Sequence, residues 1–230
     1  MKIIKNTRKD LEIKAAQLIA KKIIQYSKTQ EKVVLGIVGG ASILGILSLL
    51  KHQKIPWHKV HIFILDERLV DLDSPQSNYK NLYDNLIEYL TKQHLLPNQN
   101  AHPYIYFNFP VEQGIEAYKK ELREISHHFD IVLLSSGEDG HVAALFPNHD
   151  SIINPSESYI YTDNAPKMPK KRISASRKLL EKSKTALLLF FNETKKQAYQ
   201  NFLNKEFSII DCPAKLVNEI KDSYVFTDVG

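Results

Sequence analysis

The sequence has a single cysteine, Cys212, so no disulfide can close within the chain. That excludes a disulfide-stapled secreted scaffold and makes a reducing compartment the simplest expectation. Lying beside Pro213 late in the chain, the lone thiol reads as structural rather than nucleophilic. Long hydrophobic runs are also missing. None approaches the ~20 residues that a membrane-spanning helix needs, and the N-terminus lacks the continuous apolar stretch of a secretory leader, so a cytoplasmic protein with no membrane partner is expected. Charge of one sign is not concentrated anywhere. The 31 Lys and Arg against 26 Asp and Glu give a net +5, with the basic residues scattered and paired only briefly, as at Lys170-Lys171. A nucleic-acid binder normally carries a basic stripe on one face, so no nucleic-acid partner is expected, while a small anionic substrate fits the mild positive bias. Repeats, low-complexity tracts and linkers are absent as well, and residues 1–230 are expected to form a single domain. At 43% hydrophobic and 25% charged, the chain has the composition of an ordinary globular protein large enough for one substantial core.

What is present is an alternation of two rhythms. Leu11, Ala15, Leu18, Ile19 and Ile23 recur at three- and four-residue spacing, which predicts an amphipathic helix over 9–26. Val33 to Val38 is a short β-branched run that ends at Gly39-Gly40 and is followed by a helix-like pattern from Ala41 to Leu50. Val60 to Leu65 predicts a second strand, stopping at Asp66-Glu67-Arg68. A loop from Asp71 to Asn78 precedes a helical rhythm at Tyr79, Leu82, Leu86 and Leu90. Further strands are expected at Tyr104 to Phe107, near 130, at Tyr159 to Thr162, at Arg172 to Ser176, at Ala186 to Phe191 and at Tyr224 to Phe226. Helices are expected over Val111 to Ile125, up to about Leu203, and from Ala214 to Ile220. Strands alternating with helices imply an α/β fold with a mostly parallel sheet flanked by helices.

Residues 129 to 147 carry the densest signal. The apolar run Ile131 to Leu134 breaks into small and polar residues that end in Asp139-Gly140-His141, after which Val142, Ala143 and Ala144 read as the start of a helix. Ligands bind at the carboxyl ends of strands in open α/β sheets, so a His and an Asp delivered there are candidates for chemistry. An Asp that caps a helix beside a His that packs would give the same triplet. Gly39-Gly40 is similarly ambiguous: a strand–glycine–helix junction presents free N–H groups suited to phosphate, and a plain tight turn has the same residues. Asp66-Glu67-Arg68 sets three charges against the core, which is costly unless they are exposed, paired or functional.

A parallel sheet would gather these three strand ends at one edge, and together the motifs resemble the 6-phosphogluconolactonase family. The resemblance rests on the glycine turn at 39 and 40, on Asp66-Glu67-Arg68 followed ten residues on by Ser77-Asn78-Tyr79, and on Asp139 to Pro147. It rests also on Pro169 to Ser174 and on Lys195 in the helix after the next strand. It implies a Rossmann-like sheet of the glucosamine-6-phosphate deaminase and ribose-5-phosphate isomerase type, binding no nucleotide. It further implies hydrolysis of 6-phospho-D-glucono-1,5-lactone to 6-phospho-D-gluconate, with no metal or organic cofactor. The related deaminases usually continue the DGH core as Ile-Ala-Phe-Asn-Glu-Pro and carry Asp-Glu-Tyr for Asp-Glu-Arg. Both differences favour a lactonase here. The chain departs from the family pattern at Ala41-Ser42-Ile43, usually Ser-Thr-Pro, and at Ser135-Ser136, usually Gly-Met.

Ester hydrolysis needs a base that takes a proton from water as it attacks the carbonyl, and histidine suits that task near neutral pH. The resemblance gives this role to His141, with Asp139 either orienting it or serving the loop. Backbone N–H groups at Gly137 and Gly140 are candidates for stabilising the oxyanion. Asp66 and Arg68 are expected at the sugar or phosphate, Arg172 and Lys195 at the phosphate, and Gly39, Gly40 and Ser42 as N–H or hydroxyl donors. The expected partner is the small sugar-phosphate lactone, with a monomer slightly favoured over an oligomer. Two other functions fit the same motifs: an amino-sugar-phosphate deaminase or isomerase, and a non-catalytic sugar-phosphate binding module.

Overall fold

The computed structural model describes residues 1–106 and 110–229. Ten strands are β1 (Lys2–Lys5), β2 (Val33–Ile37), β3 (Val60–Ile64), β4 (Asp66–Arg68), β5 (Ala101–His102), β6 (Ile131–Ser135), β7 (Tyr159–Thr162), β8 (Arg172–Ala175), β9 (Thr185–Phe190) and β10 (Asp222–Thr227). Seven of them form one sheet in the order β1-β10-β9-β6-β2-β3-β5, with every pair parallel. The central strands β2 and β9 are buried at every position, as is β6 up to Leu134. That is why they read as unbroken apolar runs: a parallel sheet is covered on both faces. The expected α/β fold with helices flanking a parallel sheet is therefore what the chain adopts.

The helix Arg8–Tyr26 opens at Thr7, whose hydroxyl accepts from the Asp10 N–H, and buries Leu11, Ala15, Ala16, Ile19, Ala20 and Ile23 as its spacing predicts. The helix Val111–Ile125 has the bounds its periodicity gives, with Ile115, Tyr118 and Leu122 buried. No helix among the described residues is long and apolar enough to cross a membrane. Strand β2 leads to β3 on one side of the sheet and β6 opens the other half, so the crevice at the carboxyl ends of β2 and β6 is a topological switch point. Such crevices are where open α/β sheets hold their ligands.

Some expectations need correction. Val142 to Ala144 start no helix. Val142 to Leu145 close a tight turn, with the Leu145 N–H bonded to the Val142 carbonyl at 3.0 Å and Ala143 at φ 51°. Every residue from Val142 to Phe146 is buried, so the apolar run that imitates a helix face is instead a plug packed on all sides. The expected strand at Tyr104 to Phe107 is not a strand over Tyr104–Tyr106, and Phe107 lies outside the described residues. The short edge strand is β5 instead. Residues Pro213–Glu219 form a 3-10 helix. Strand β1 has no counterpart among the expected strands, because a four-residue, mostly exposed edge strand reading Lys-Ile-Ile-Lys carries no alternating pattern.

Candidate active site

A second, small antiparallel sheet of order β4-β8-β7 stands at the carboxyl edge of the large one. Its register sets Asp66 opposite Ser174 and Arg68 opposite Arg172. Two like charges facing across an antiparallel pair are unfavourable unless an anion lies between or beside them. Glu67, pointing the other way, is buried and accepts four hydrogen bonds: from its neighbour's N–H on Arg68 at 2.7 Å, from Ser77 Oγ at 3.0 Å, and from the N–H groups of Asn78 at 2.8 Å and Tyr79 at 2.7 Å. It thereby caps the helix Asn78–Leu82, whose N-cap is Ser77. Burial pushes the Glu67 carboxyl up, and those backbone donors pull it back. The ten-residue spacing from Asp66-Glu67-Arg68 to Ser77-Asn78-Tyr79 thus has a structural cause: the middle residue of the triplet holds the far segment in place.

The far segment then reaches the site. Asn78 donates through Nδ2 to the Asp66 carbonyl at 2.8 Å and to Asp66 Oδ2 at 3.1 Å. Its side chain lies so close to Gly39 that a Cβ there would come within 2.0 Å of Asn78 Oδ1, which only glycine tolerates. Gly40 has φ 98°, a left-handed conformation that glycine adopts without strain. The N–H groups of Gly39 and Gly40 have no acceptor among the described residues.

On the loop after β6, Asp139 Oδ1 lies 2.5 Å from His141 Nδ1 and also accepts the His141 N–H at 3.2 Å. This engages one ring nitrogen and fixes the plane of the imidazole, leaving Nε2 with no hydrogen-bond partner among the described residues. Burial pushes the Asp139 carboxyl up, but the hydrogen bond and charge of His141 outweigh it and hold it well below the usual carboxylate range. Gly137 makes room for the ring, since a Cβ there would lie 2.0 Å from His141 Nδ1. Gly140, at φ 90°, turns the chain against Cys212. The buried Cys212 thiol is pushed up to about 11 by burial, in keeping with a packing role. The expected oxyanion donors are not free, however. The Gly137 N–H bonds the His141 carbonyl at 2.7 Å and the Gly140 N–H bonds the Gly137 carbonyl at 3.2 Å, because a loop this tight satisfies its own donors.

These parts meet in an open pocket of about 430 Å³. Of the residues named from the sequence, Gly39, Gly40, Ser42, Asp66, Arg68, Gly137, His141, Arg172 and Lys195 line it. Asp139 stands behind His141, and Gly140 lies away from the pocket wall. Burial raises the Asp66 carboxyl, opposed by the charges of Arg68, Arg172 and His141. Arg172 is partly committed elsewhere, donating from Nε to the Pro169 carbonyl at 3.0 Å and from Nη2 to those of Lys167 at 3.1 Å and Met168 at 3.3 Å. It so fastens the segment that carries Lys167, a pocket residue the sequence reading missed because it sits in a Pro- and Lys-rich stretch with no pattern. Lys195 belongs to the 3-10 turn Glu193–Lys195 that precedes the helix Lys196–Leu203 rather than to the helix itself. Burial lowers its ammonium, opposed by Glu138. Among the described residues none of Arg68, Lys167, Arg172 and Lys195 is in an ion pair, although surface lysines elsewhere are paired readily. Four cations outside ion pairs, against the two carboxylates of Asp66 and Glu138, line a cleft beside a histidine–aspartate pair and suit it to an anionic substrate. No three His, Cys, Asp or Glu side chains among the described residues gather as a metal ion would require.

The profile of the glucosamine-6-phosphate isomerases/6-phosphogluconolactonase family matches residues 6–226. The chain belongs to that family. It is 37% identical over 195 residues to a 6-phosphogluconolactonase of Borreliella burgdorferi, covering 85% of this chain and 83% of the relative. The crystal structure of a 6-phosphogluconolactonase from Thermotoga maritima superimposes with a TM-score of 0.81 at 28% identity, covering 98% of this chain and 96% of that one. A monomeric glucosamine-6-phosphate deaminase superimposes equally well, with a TM-score of 0.83 over 99% of this chain and 97% of its own, but at 21% identity that likeness concerns the fold alone.

Proposed function

We propose that this chain, as one lactonase domain, hydrolyses 6-phospho-D-glucono-1,5-lactone to 6-phospho-D-gluconate, the second step of the oxidative pentose phosphate pathway. The observation that carries the reading is the Asp139–His141 pair opening onto a pocket walled by unpaired Arg and Lys side chains. Asp139 holds the His141 ring through Nδ1, so Nε2 takes the proton of a water as that water attacks the lactone carbonyl carbon. Charge then develops on the carbonyl oxygen. With the Gly137 and Gly140 N–H groups already engaged, the hydroxyl of Ser135, at the end of β6 in the pocket wall, donates to it. As the tetrahedral intermediate collapses, the bond from the carbonyl carbon to the ring oxygen breaks, and His141 returns its proton to that oxygen. The products are a carboxylic acid, which ionises, and a hydroxyl. The phosphate is held by Lys195, Arg68, the free edge of Arg172 and the donors of the Gly39–Ser42 turn, with Lys167 at the rim and Asp66 turned to the sugar hydroxyls.

Freshly generated 6-phosphogluconolactone mixed with the purified protein should release acid well above the spontaneous rate. Acid release at the spontaneous rate, with ammonia released from glucosamine 6-phosphate, would replace the lactonase reading with the deaminase one. Ligand-induced thermal stabilisation without turnover of either compound would leave a binding module.

A further inference from the structure

Two walls of the pocket have no direct connection through the sheet. The Gly39–Ser42 turn follows β2 and the Asn192–Lys195 turn follows β9, and β6 lies between those strands. One side chain outside the pocket reaches both. Arg8, the first residue of the long N-terminal helix, donates from Nη2 to the Ser42 carbonyl at 2.8 Å. The same guanidinium stacks over the ring of Phe191, the residue before Asn192, at 3.9 Å from its centroid. Its third anchor is Glu12, which accepts from Nε at 2.6 Å. The Glu12 carboxylate in turn presses on the backbone of Gly45, where a Cβ would lie 2.2 Å away. A planar, always charged fork that bonds through one edge and stacks through one face is what such a three-point tie requires, and lysine cannot reproduce it.

We propose that Arg8 is a positioning residue that sets the separation of these two turns, and through it the grip on the substrate's phosphate. The inference rests on the phosphorylated-lactone reading above. Arg8 touches neither the substrate nor His141; it fixes the frame on which Lys195 and the Gly39–Gly40 donors are mounted. Small misplacements of binding groups are felt because the geometry of a charged contact is demanding. The effect should therefore fall on phosphate recognition and leave the hydrolytic step alone.

The test compares wild-type protein with Arg8→Gln, Arg8→Lys and Glu12→Gln, using inorganic phosphate binding by calorimetry and kinetics on 6-phosphogluconolactone and on unphosphorylated glucono-1,5-lactone. Arg8→Gln should weaken phosphate binding and raise KM for the phosphorylated lactone by about tenfold, with kcat within about twofold and kcat/KM for the unphosphorylated lactone unchanged. Arg8→Lys should recover only part of the loss, and Glu12→Gln should move both quantities the same way by a smaller factor. Unchanged phosphate binding in Arg8→Gln, or an equal loss on the two lactones accompanied by a lower melting temperature, overturns the proposal. If the wild-type protein fails to hydrolyse the phosphorylated lactone, the functional reading fails, and the phosphate-binding arm alone decides the role of Arg8.

Discussion

Two carboxylate–histidine pairs of nearly equal geometry occupy opposite situations in this molecule. Asp139 and His141 meet at 2.5 Å on the loop after β6, and Glu121 and His102 meet at 2.6 Å beside the edge strand β5. In the first pair the remaining ring nitrogen is free and the ring lines the pocket. In the second it faces His61 Nδ1 at 3.0 Å, and the His102 ring is stacked flat on Phe63 with centroids 4.1 Å apart. A carboxylate that orients an imidazole is therefore no mark of catalysis by itself. What separates the two is the partner of the second nitrogen: a cleft lined with cations in one case, another, half-buried imidazole in the other.

The largest expected effect tests that separation directly. His141→Ala should lower the catalysed rate of lactone hydrolysis by about 100- to 10,000-fold, the range over which a positioned acid–base group acts, while circular dichroism and melting remain near wild type. His102→Ala should do the reverse. Removing a ring that is 3% exposed and packed on Phe63 should destabilise the protein by about 2–4 kcal/mol in urea titrations, with kcat/KM unchanged within about twofold. If the histidine of the edge strand proved the one needed for turnover, the comparison would be inverted and the site misplaced.

A smaller effect is expected from the carboxylates. Asp139→Asn keeps the shape but loses the charge that orients the ring, and should lower kcat about 10- to 100-fold with KM little altered. Glu121→Gln should leave turnover untouched and cost no more than about 1 kcal/mol, because the Glu121 side chain is 44% exposed and an exposed partner is largely screened. Equal losses of kcat in both variants would mean that the first pair is also structural.

Much of this architecture was legible in the sequence, and what was not has identifiable causes. Strands β2, β6 and β9 announce themselves because burial on both faces leaves no room for polar residues. The triplet at 66–68 stands out because charge abutting a core demands a reason, and that at 139–141 because it delivers an Asp and a His to the carboxyl end of a strand. The reason for Glu67 was hidden, since its four donors come from its neighbour and from a segment ten residues away that only the fold brings back. The antiparallel pairing of β4 with β8 joins residues more than a hundred positions apart, and no local pattern encodes that register. It is nonetheless what puts Arg68 beside Arg172. Val142 to Ala144 imitate a helix start for a different reason: complete burial from Val142 to Phe146 produces apolar residues at every position, and the positive φ of Ala143 leaves no trace in its side chain. The departure at Ser135-Ser136 is resolved by the ladder itself. Ser135 ends β6 opposite Leu189, and the Ser136 N–H reaches the Leu189 carbonyl at 2.9 Å, so the chain leaves the sheet in register and a hydroxyl is added to the pocket wall.

The smallest expected effect sharpens the comparison through pH. Burial, the neighbouring His102 and Lys32 push His61 down to about 4 from an ordinary value of 6.5, with Glu121 opposing. The folded protein therefore resists a proton that the unfolded chain accepts between those two values. Stability rises with pH wherever the unfolded state binds more protons, so His61 should make the protein less stable as the pH falls from about 6.5 to about 4, with no further contribution above 6.5. Asp130 acts in a different window. Burial raises its carboxyl, but the neighbouring His128, the Lys184 ammonium at 2.7 Å and hydrogen bonds from the Val34 N–H and Gln30 bring it down to about 2, so its contribution is complete above about 4 and is lost only as the pH falls toward 2. His61→Asn should accordingly flatten the melting temperature between pH 6.5 and 4 and leave the steeper acid limb below pH 4 unchanged. A slope in the upper window that survives in His61→Asn would assign it to a histidine other than the one facing His102, and the pair at the edge strand would lose its claim to be inert.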